Sequence, residues 1–258
     1  MYKAVVFFDL DGTLFDNDKN VTPASVAAIA QLKVNNILPV IATGRSVFEI
    51  KDTMAHSGIN SCVCADGSYI QVNGKMVHAD FLKKSDIDDI TEYASKKSYP
   101  VAYYNPNGFV VNHASRLVRE NYNELKETVT VDPGQYLTTP MNMLFVFTPE
   151  RDKQDDIYRE HFKGTFSFYR NNQRGLDVVK YGVSKKSGID NLLVNNNLTD
   201  VPTYGFGDFY NDLPMFDAVD TPIAMKNGVQ EIKDKAAYVT TSNMDNGIVN
   251  GLKHFNLI

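Results

Sequence analysis

Cysteine is scarce in this chain: only Cys62 and Cys64 occur among 258 residues, which excludes a fold built on disulfides. A single residue separates them, so both fall on one face of a strand. They read as small buried hydrophobes, since a redox pair is more often spaced C-x-x-C. A reducing cytoplasm is the expected compartment. The five histidines, His56, His78, His113, His161 and His254, are scattered, with none at metal-ligand spacing. No G-x-x-x-x-G-K-[ST] segment occurs, which disfavours a P-loop nucleotide site. No apolar run approaches the roughly 20 residues of a membrane span, and repeats and low-complexity tracts are missing. Positive charge is not in excess: the net charge is -5, which argues against a nucleic-acid partner. A signal peptide is not expected, because candidate chemistry begins at Asp9, at the end of the first predicted strand.

What is present is an ordinary globular composition, 43% hydrophobic and 22% charged. A chain of this size buries roughly three-quarters of its unfolded surface, so its core needs no structural metal. The first third alternates strands and helices. Ala4 to Phe8 is a continuous apolar run, as in a strand buried on both faces of a parallel sheet. Thr22-Pro23 reads as a cap with proline in the first turn of a helix reaching Val34. Strands are expected at Leu38 to Ala42 and Cys62 to Ala65, and a hairpin at Ser68 to Val77 around Asn73-Gly74.

From about residue 82 to 182 the pattern changes to paired strands and polar helices. Strands are expected at 101–104 and 109–111 and at 166–169 and 176–179, the last pair flanking an Asn171-to-Gly175 loop. Helices are expected at 85–97, 114–127 and 150–161. Alternation resumes at Ser184, with a strand at Thr203 to Gly207 and a C-terminal helix near 245–255. The fold class is therefore α/β, a doubly wound and mostly parallel sheet with an inserted α+β domain. The expected boundaries are 1–82 with 183–258 for the catalytic core and 83–182 for the insertion.

Polar residues gather where the core strands end. Strand one runs into Asp9-Leu10-Asp11-Gly12-Thr13, strand two into Thr43-Gly44-Arg45, and the strand after the insertion into Asp208-Phe209-Tyr210-Asn211-Asp212. Ligands bind at that edge of an open parallel sheet. Four carboxylates converging there need a cation, and oxygen ligands without cysteine or histidine favour magnesium. Such an arrangement suits phosphoryl transfer. Magnesium would bridge Asp9, Asp208 and a phosphate oxygen, Asp11 would act as general acid and then base, and Thr43 with the Gly44 amide would bind phosphate oxygens. The blander readings are turn carboxylates, helix capping by Asp208 and Asp212, and an N-cap role for Thr43 ahead of a helix near Ser46. Arg45 either pairs with a carboxylate or reaches the substrate.

These segments resemble the haloacid dehalogenase-like (HAD) phosphatases over essentially the whole chain. Asp9-Leu10-Asp11-Gly12-Thr13-Leu14 matches the first motif, Thr43 the second and Gly207-Asp208-x-x-Asn211-Asp212 the fourth. Ala42-Thr43-Gly44-Arg45, Gly182-Val183-Ser184-Lys185, Ala224-Met225-x-Asn227-Gly228 and Asp245-Asn246-Gly247 are similar to the Cof-type subclass. That subclass carries an α/β cap after the second motif. The resemblance implies Asp9 as a nucleophile that becomes phosphorylated and Asp11 as acid/base. It also implies phosphate binding by Thr43, Gly44, Lys185 and Asn211. Metal would be bound by Asp9, Asp208 and the Asp11 backbone carbonyl, with Asp212 behind them. Two departures stand out. Lys186 occupies the place where the subclass has glycine, and Asp66-Gly67 stands where Asn-Gly is usual. The expected substrate is a small phosphate ester such as a sugar phosphate, flavin mononucleotide or pyridoxal phosphate, selected by the cap. A phosphomutase and a non-catalytic phospho-ligand-binding regulator are the alternatives.

Overall fold

The computed structural model describes residues 2–125 and 127–258, with the backbone alone at Asn171. The chain forms two compact units: residues up to His78 together with Ser184–Ile258, and the inserted Ala79–Val183.

The first unit starts with β1 (Ala4–Phe8), α1 (Pro23–Val34), β2 (Ile37–Ala42), α2 (Lys51–Ser57), β3 (Cys62–Cys64), β4 (Tyr69–Val72) and β5 (Lys75–Ala79). All five residues of β1 are buried, as its unbroken apolar run requires for a central parallel strand. Thr22 caps α1 by accepting the Ser25 N–H at 3.2 Å, with Pro23 in the first turn. Positive φ at Asn73 (49°) and Gly74 (79°) closes the β4–β5 hairpin, the backbone an Asn-Gly pair adopts most readily.

The inserted unit comprises α3 (Lys84–Ser95), β6 (Val101–Asn105), β7 (Gly108–Val111), α4 (Arg116–Glu124), β8 (Met143–Val146), α5 (Asp155–His161), β9 (Phe166–Asn172) and β10 (Gly175–Lys180). Its sheet has the order β7-β6-β8-β10-β9 and is antiparallel throughout. The central strand β8 is absent from the sequence reading. The β9–β10 hairpin is also tighter than expected, since its strands extend to Asn172 and Gly175. Lys126, within the expected 114–127 helix, lies outside the described residues. Tyr103, Leu144, Tyr158 and Val178 are fully buried in this unit's own core. Three polar side chains in and near its last hairpin have local partners. Arg170 bonds Asp155 and the Thr148 carbonyl, Arg174 pairs with Glu124, and Tyr169 donates to the Val183 carbonyl at 2.6 Å.

The chain then completes the first unit with α6 (Lys185–Asn195), β11 (Thr203–Gly207), α7 (Leu213–Phe216), β12 (Thr221–Ala224), α8 (Gln230–Lys235), β13 (Tyr238–Val239) and α9 (Gly247–His254). The eight strands lie in the order β13-β12-β11-β1-β2-β3-β4-β5. Pairing is parallel from β13 through β3 and antiparallel between β3 and β4. The order reverses at β1: the chain leaves it toward β2 on one side and returns through β11 on the other. Such a switch point opens a crevice at the carboxyl ends of the strands. Val5, Phe7, Val40, Ile189, Leu192 and Met215 pack one core, while Phe8 stacks on Phe206 at 5.3 Å.

Helix α6 approaches the turn after β3 without intervening side chains. A β-carbon on Gly67 would collide with the Ser184 carbonyl, and one on Gly188 would lie 2.5 Å from Val63 Cγ1 and 2.8 Å from the Gly67 Cα. Gly67 also holds φ at 103°, a conformation that disfavours side chains. Gly188→Ala should therefore lower unfolding free energy by about 1–3 kcal/mol, as overpacking does. A urea midpoint equal to that of the wild type would show that the helix can retreat freely.

Candidate active site

Three strand ends meet at the switch point. The Asp9 N–H donates to the Phe206 carbonyl at 3.0 Å, so the β1–β11 ladder fixes Asp9 as the first residue beyond β1. Its carboxylate is buried, with 5% of the residue exposed. Asp208 follows β11 directly, and Asp212 is fully buried in the short turn Tyr210–Asp212. One carboxylate oxygen from each of Asp9, Asp208 and Asp212 lies within 4.8 Å of the other two.

Among the described residues one ammonium enters this group. Ser184 caps α6 by accepting the Ser187 N–H at 3.1 Å, which makes Lys185 the first helical residue. Its buried Nζ donates to Asp9 Oδ1 and Asp212 Oδ1, both at 2.6 Å. Lys186 instead turns outward to Asp190 at 3.2 Å and is half-exposed. Asp212 spends its other oxygen on the backbone, accepting the N–H groups of Asp208 (3.0 Å) and Phe209 (3.2 Å). It thereby shapes the turn that carries Asp208. Thr13, whose role the sequence reading omits, donates to Asp208 Oδ1 at 2.9 Å. A side chain at Gly12 would strike the Asp208 carboxylate, so the loop after β1 comes this close only with glycine there.

The electrostatics follow from three carboxylates sharing one ammonium. Burial works against the Lys185 charge, but Asp212 and Asp9 outweigh it and raise the lysine pKa above its ordinary value. Burial and the neighbouring Asp212 charge push the Asp9 carboxyl well up, against the pull of Lys185. The same two causes push Asp208 up to about 7. The group thus carries more negative charge than its own lysine balances. All the donors are carboxylate oxygens, a set that fits a hard divalent cation.

Asp11 is drawn elsewhere. Arg45 grips it with two bonds of 2.8 Å, from Nε to Oδ2 and from a terminal nitrogen to Oδ1, and the Arg45 guanidinium lies 5.8 Å from the Phe15 ring centroid. Burial would raise the Asp11 pKa, yet the Arg45 bonds and charge prevail and hold it below the ordinary value. Of the two readings of Arg45, the structure shows the pairing with a carboxylate.

Thr43 is buried at the end of β2. It does not cap the following helix: Ser46 does, paired with Glu49, whose carboxylate accepts the Ser46 N–H at 2.6 Å. Thr43 Oγ1 instead accepts the Arg45 N–H at 3.2 Å. Register pairing of Phe8 with Ile41 sets the ends of β1 and β2 side by side, so Thr43 and Gly44 stand next to the Asp9 loop. Asn211 is half-buried in the turn between Asp208 and Asp212. Asp66 is buried, with φ 51°, and its N–H donates to the Thr43 carbonyl at 3.3 Å.

Two outcomes test this account. Lys185→Ala should cost about 3–5 kcal/mol in unfolding free energy near pH 7, as uncompensated buried charge does, and the deficit should narrow as the carboxyls take up protons at lower pH. A deficit that does not vary with pH would contradict the charge argument. The second concerns Asp208, whose carboxyl titrates higher in the fold than in the unfolded chain. Its contribution to stability is therefore present below pH 4 and lost as pH rises through about 7. A cation would replace the proton, so magnesium should raise the melting temperature more at pH 8 than at pH 6. Equal increments would place the ion elsewhere.

Comparison with known proteins shows the family. A family model described as haloacid dehalogenase-like hydrolase matches residues 6–252. YkrA of Bacillus subtilis, provisionally named a phosphatase, is 28% identical over the full length of both chains. YwtE of the same organism, named 5-amino-6-(5-phospho-D-ribitylamino)uracil phosphatase, is 23% identical over 94% of each chain. The crystal structure of a hypothetical protein from Geobacillus kaustophilus superposes with a TM-score of 0.90 at 28% identity, covering all of both chains. Among the described residues no helix is long and apolar enough to cross a membrane. The chain belongs to the haloacid dehalogenase-like hydrolases.

Proposed function

We propose that this phosphatase hydrolyses small phosphorylated metabolites through a phosphoryl group carried transiently on Asp9. The carrying observation is the imbalance around Asp9, where one ammonium faces three clustered carboxylates. Asp9 and Asp208 would hold a magnesium ion with the Asp11 carbonyl, and Asp212 would orient Asp208. When bound, the ion neutralises charge so that an anionic ester can approach an anionic nucleophile.

The residues then divide the work. An Asp9 carboxylate oxygen attacks phosphorus as the bond to the leaving oxygen breaks. Lys185 orients Asp9 and favours its ionised form against the burial and the Asp212 charge that oppose it. Thr43, the Gly44 N–H and Asn211 receive the phosphate oxygens. Asp11 gives its proton to the leaving alkoxide, then takes one from the water that cleaves the aspartyl-phosphate. At rest Arg45 holds Asp11 as a carboxylate, so this pair must open and Asp11 must take up a proton from solvent before it can deliver one to the leaving group. The Asp11 side chain is half-exposed, which leaves it room to turn.

The substrate class rests on the family and on one relative. YwtE is named for a substrate whose phosphate ends a ribityl chain, which supports a sugar- or cofactor-borne phosphate monoester here. The insertion between β5 and α6, taken as residues 83–182, is the cap that selects the leaving group in this reading. The substrate is a small diffusible molecule of the cytoplasm and not a nucleic acid or a membrane lipid.

The test is Asp9→Asn with magnesium and a panel of phosphorylated metabolites. Release of inorganic phosphate should fall by at least about a thousandfold, while the magnesium-induced rise in melting temperature partly survives. Turnover near the wild-type rate would remove Asp9 from the reaction. Transfer of phosphate to a second position of the substrate, without inorganic phosphate, would make the protein a mutase.

A further inference from the structure

The stretch that carries Asp11 is an irregular turn, and two asparagines from other loops hold it. Within Leu10–Leu14, Asp11 (φ -73°, ψ 116°) and Gly12 (φ 80°, ψ -2°) leave helical geometry. Local bonds close the turn on itself: the Leu14 N–H donates to the Asp9 carbonyl and the Phe15 N–H to the Leu10 carbonyl. Its Gly12 and Phe15 carbonyls are caught from outside. Asn227 Nδ2 donates to the Gly12 oxygen at 2.8 Å, and Asn243 Nδ2 donates to the Phe15 oxygen at 2.9 Å. The two asparagines are themselves joined, since Asn227 Oδ1 accepts the Asn243 N–H at 3.1 Å. A closed circuit thus runs from Gly12 through Asn227 and Asn243 to Phe15 and back along the chain.

We infer that Asn227 and Asn243 are positioning residues that set the Asp11 turn for proton transfer to the leaving group. This rests on the reading of Asp11 as the acid/base. The bonds from Asn227 are partly solvent-exposed, where each adds little to folding. The asparagines' own loops are secured without them. The Gly228 N–H donates to the Met225 carbonyl, the Val229 N–H to the Asp208 carbonyl, and Thr241 Oγ1 to the Asp245 carbonyl. What the asparagines determine is where residues 11–15 stand. The clamp reaches Asp11 by two routes: Gly12 is its chain neighbour, and Phe15 lies under the Arg45 guanidinium that grips it. The motif Ala224-Met225-x-Asn227-Gly228, which the site otherwise leaves without a role, acquires one.

The measurement is kcat/KM on two aryl esters with magnesium present. Phenyl phosphate has a leaving group that needs a proton, whereas 2,4-dinitrophenyl phosphate has one that departs unaided. In Asn227→Ala and Asn243→Ala, kcat/KM for phenyl phosphate should fall about tenfold, equivalent to roughly 1.4 kcal/mol. On the dinitrophenyl ester the fall should stay under about threefold, about 0.65 kcal/mol at 1.36 kcal/mol per decade. The magnesium-induced rise in melting temperature should be retained, since the Asp9 and Asp208 carboxylates are untouched. Asn227→Asp keeps the acceptor for Asn243 but loses the donor to Gly12, and should behave like Asn227→Ala. It also provides a variant that folds if the alanine does not. Equal losses on both esters, or no loss on either, would overturn the positioning role. Asp11→Asn is the reference: if it too fails to separate the esters, the fault lies with the acid/base reading and the clamp falls with it. If Asp11→Asn separates them and the asparagine variants do not, the clamp alone is wrong.

Discussion

The ion triad of Lys185 with Asp9 and Asp212 is the interaction on which the rest of the site depends. A buried ammonium between two buried carboxylates is costly to desolvate and is held only where geometry is good. Here the geometry comes from three separate chain segments. β1 delivers Asp9, the turn after β11 delivers Asp212, and the first turn of α6 delivers Lys185. Each must arrive to within hydrogen-bond distance. The close approach of Gly188 to Gly67 is therefore part of the site, since it sets how near α6 comes to the sheet. The second oxygen of Asp212 carries the constraint onward to the turn holding Asp208.

Charge excess is the counterpart of that order. One lysine cannot neutralise Asp9, Asp208 and Asp212 together, and the remainder shows in the raised carboxyls of Asp9 and Asp208. A fold selected for stability alone would remove one of these carboxylates. Retaining all three while leaving the group under-neutralised is sensible for a site that takes up a cation. Asp11 shows the opposite arrangement: Arg45 balances it fully, and it stays ionised until that pair opens.

Much of this could be read from the chain because each site residue directly follows an apolar run. Asp9 after Ala4 to Phe8, Thr43 after β2 and Asp208 after β11 mark the same sheet edge without reference to contacts. The parts that could not be read depend on pairings distant in sequence. Arg45 and Asp11 are 34 positions apart, and nothing in either segment specifies the other. Strand β8 is four residues long and sits between β6 and β10, neither adjacent to it in sequence. Asn142 and Thr148, both polar yet fully buried, flank this segment and blur the apolar pattern. Ser46 is a more informative case. The Ser46–Glu49 spacing is itself a capping-box signal, so its precedence over Thr43 as the cap was legible locally.

The placement of these residues also separates the two units in what they contribute. Asp9, Asp11, Thr13, Thr43, Arg45, Lys185, Asp208, Asp212 and both clamping asparagines belong to the first unit, so the charge network around Asp9 is built without a side chain from the insertion. The insertion, meanwhile, has its own sheet and core, and Arg170 and Arg174 are paired within it. These two arginines are thus committed to the insertion's own architecture, which composition alone does not reveal. If the insertion selects the leaving group, as proposed, that selection falls to its shape and to polar groups other than these two arginines. In that reading one chemistry at phosphorus serves many phosphate esters, because changing the insertion leaves the charge balance around Asp9 untouched.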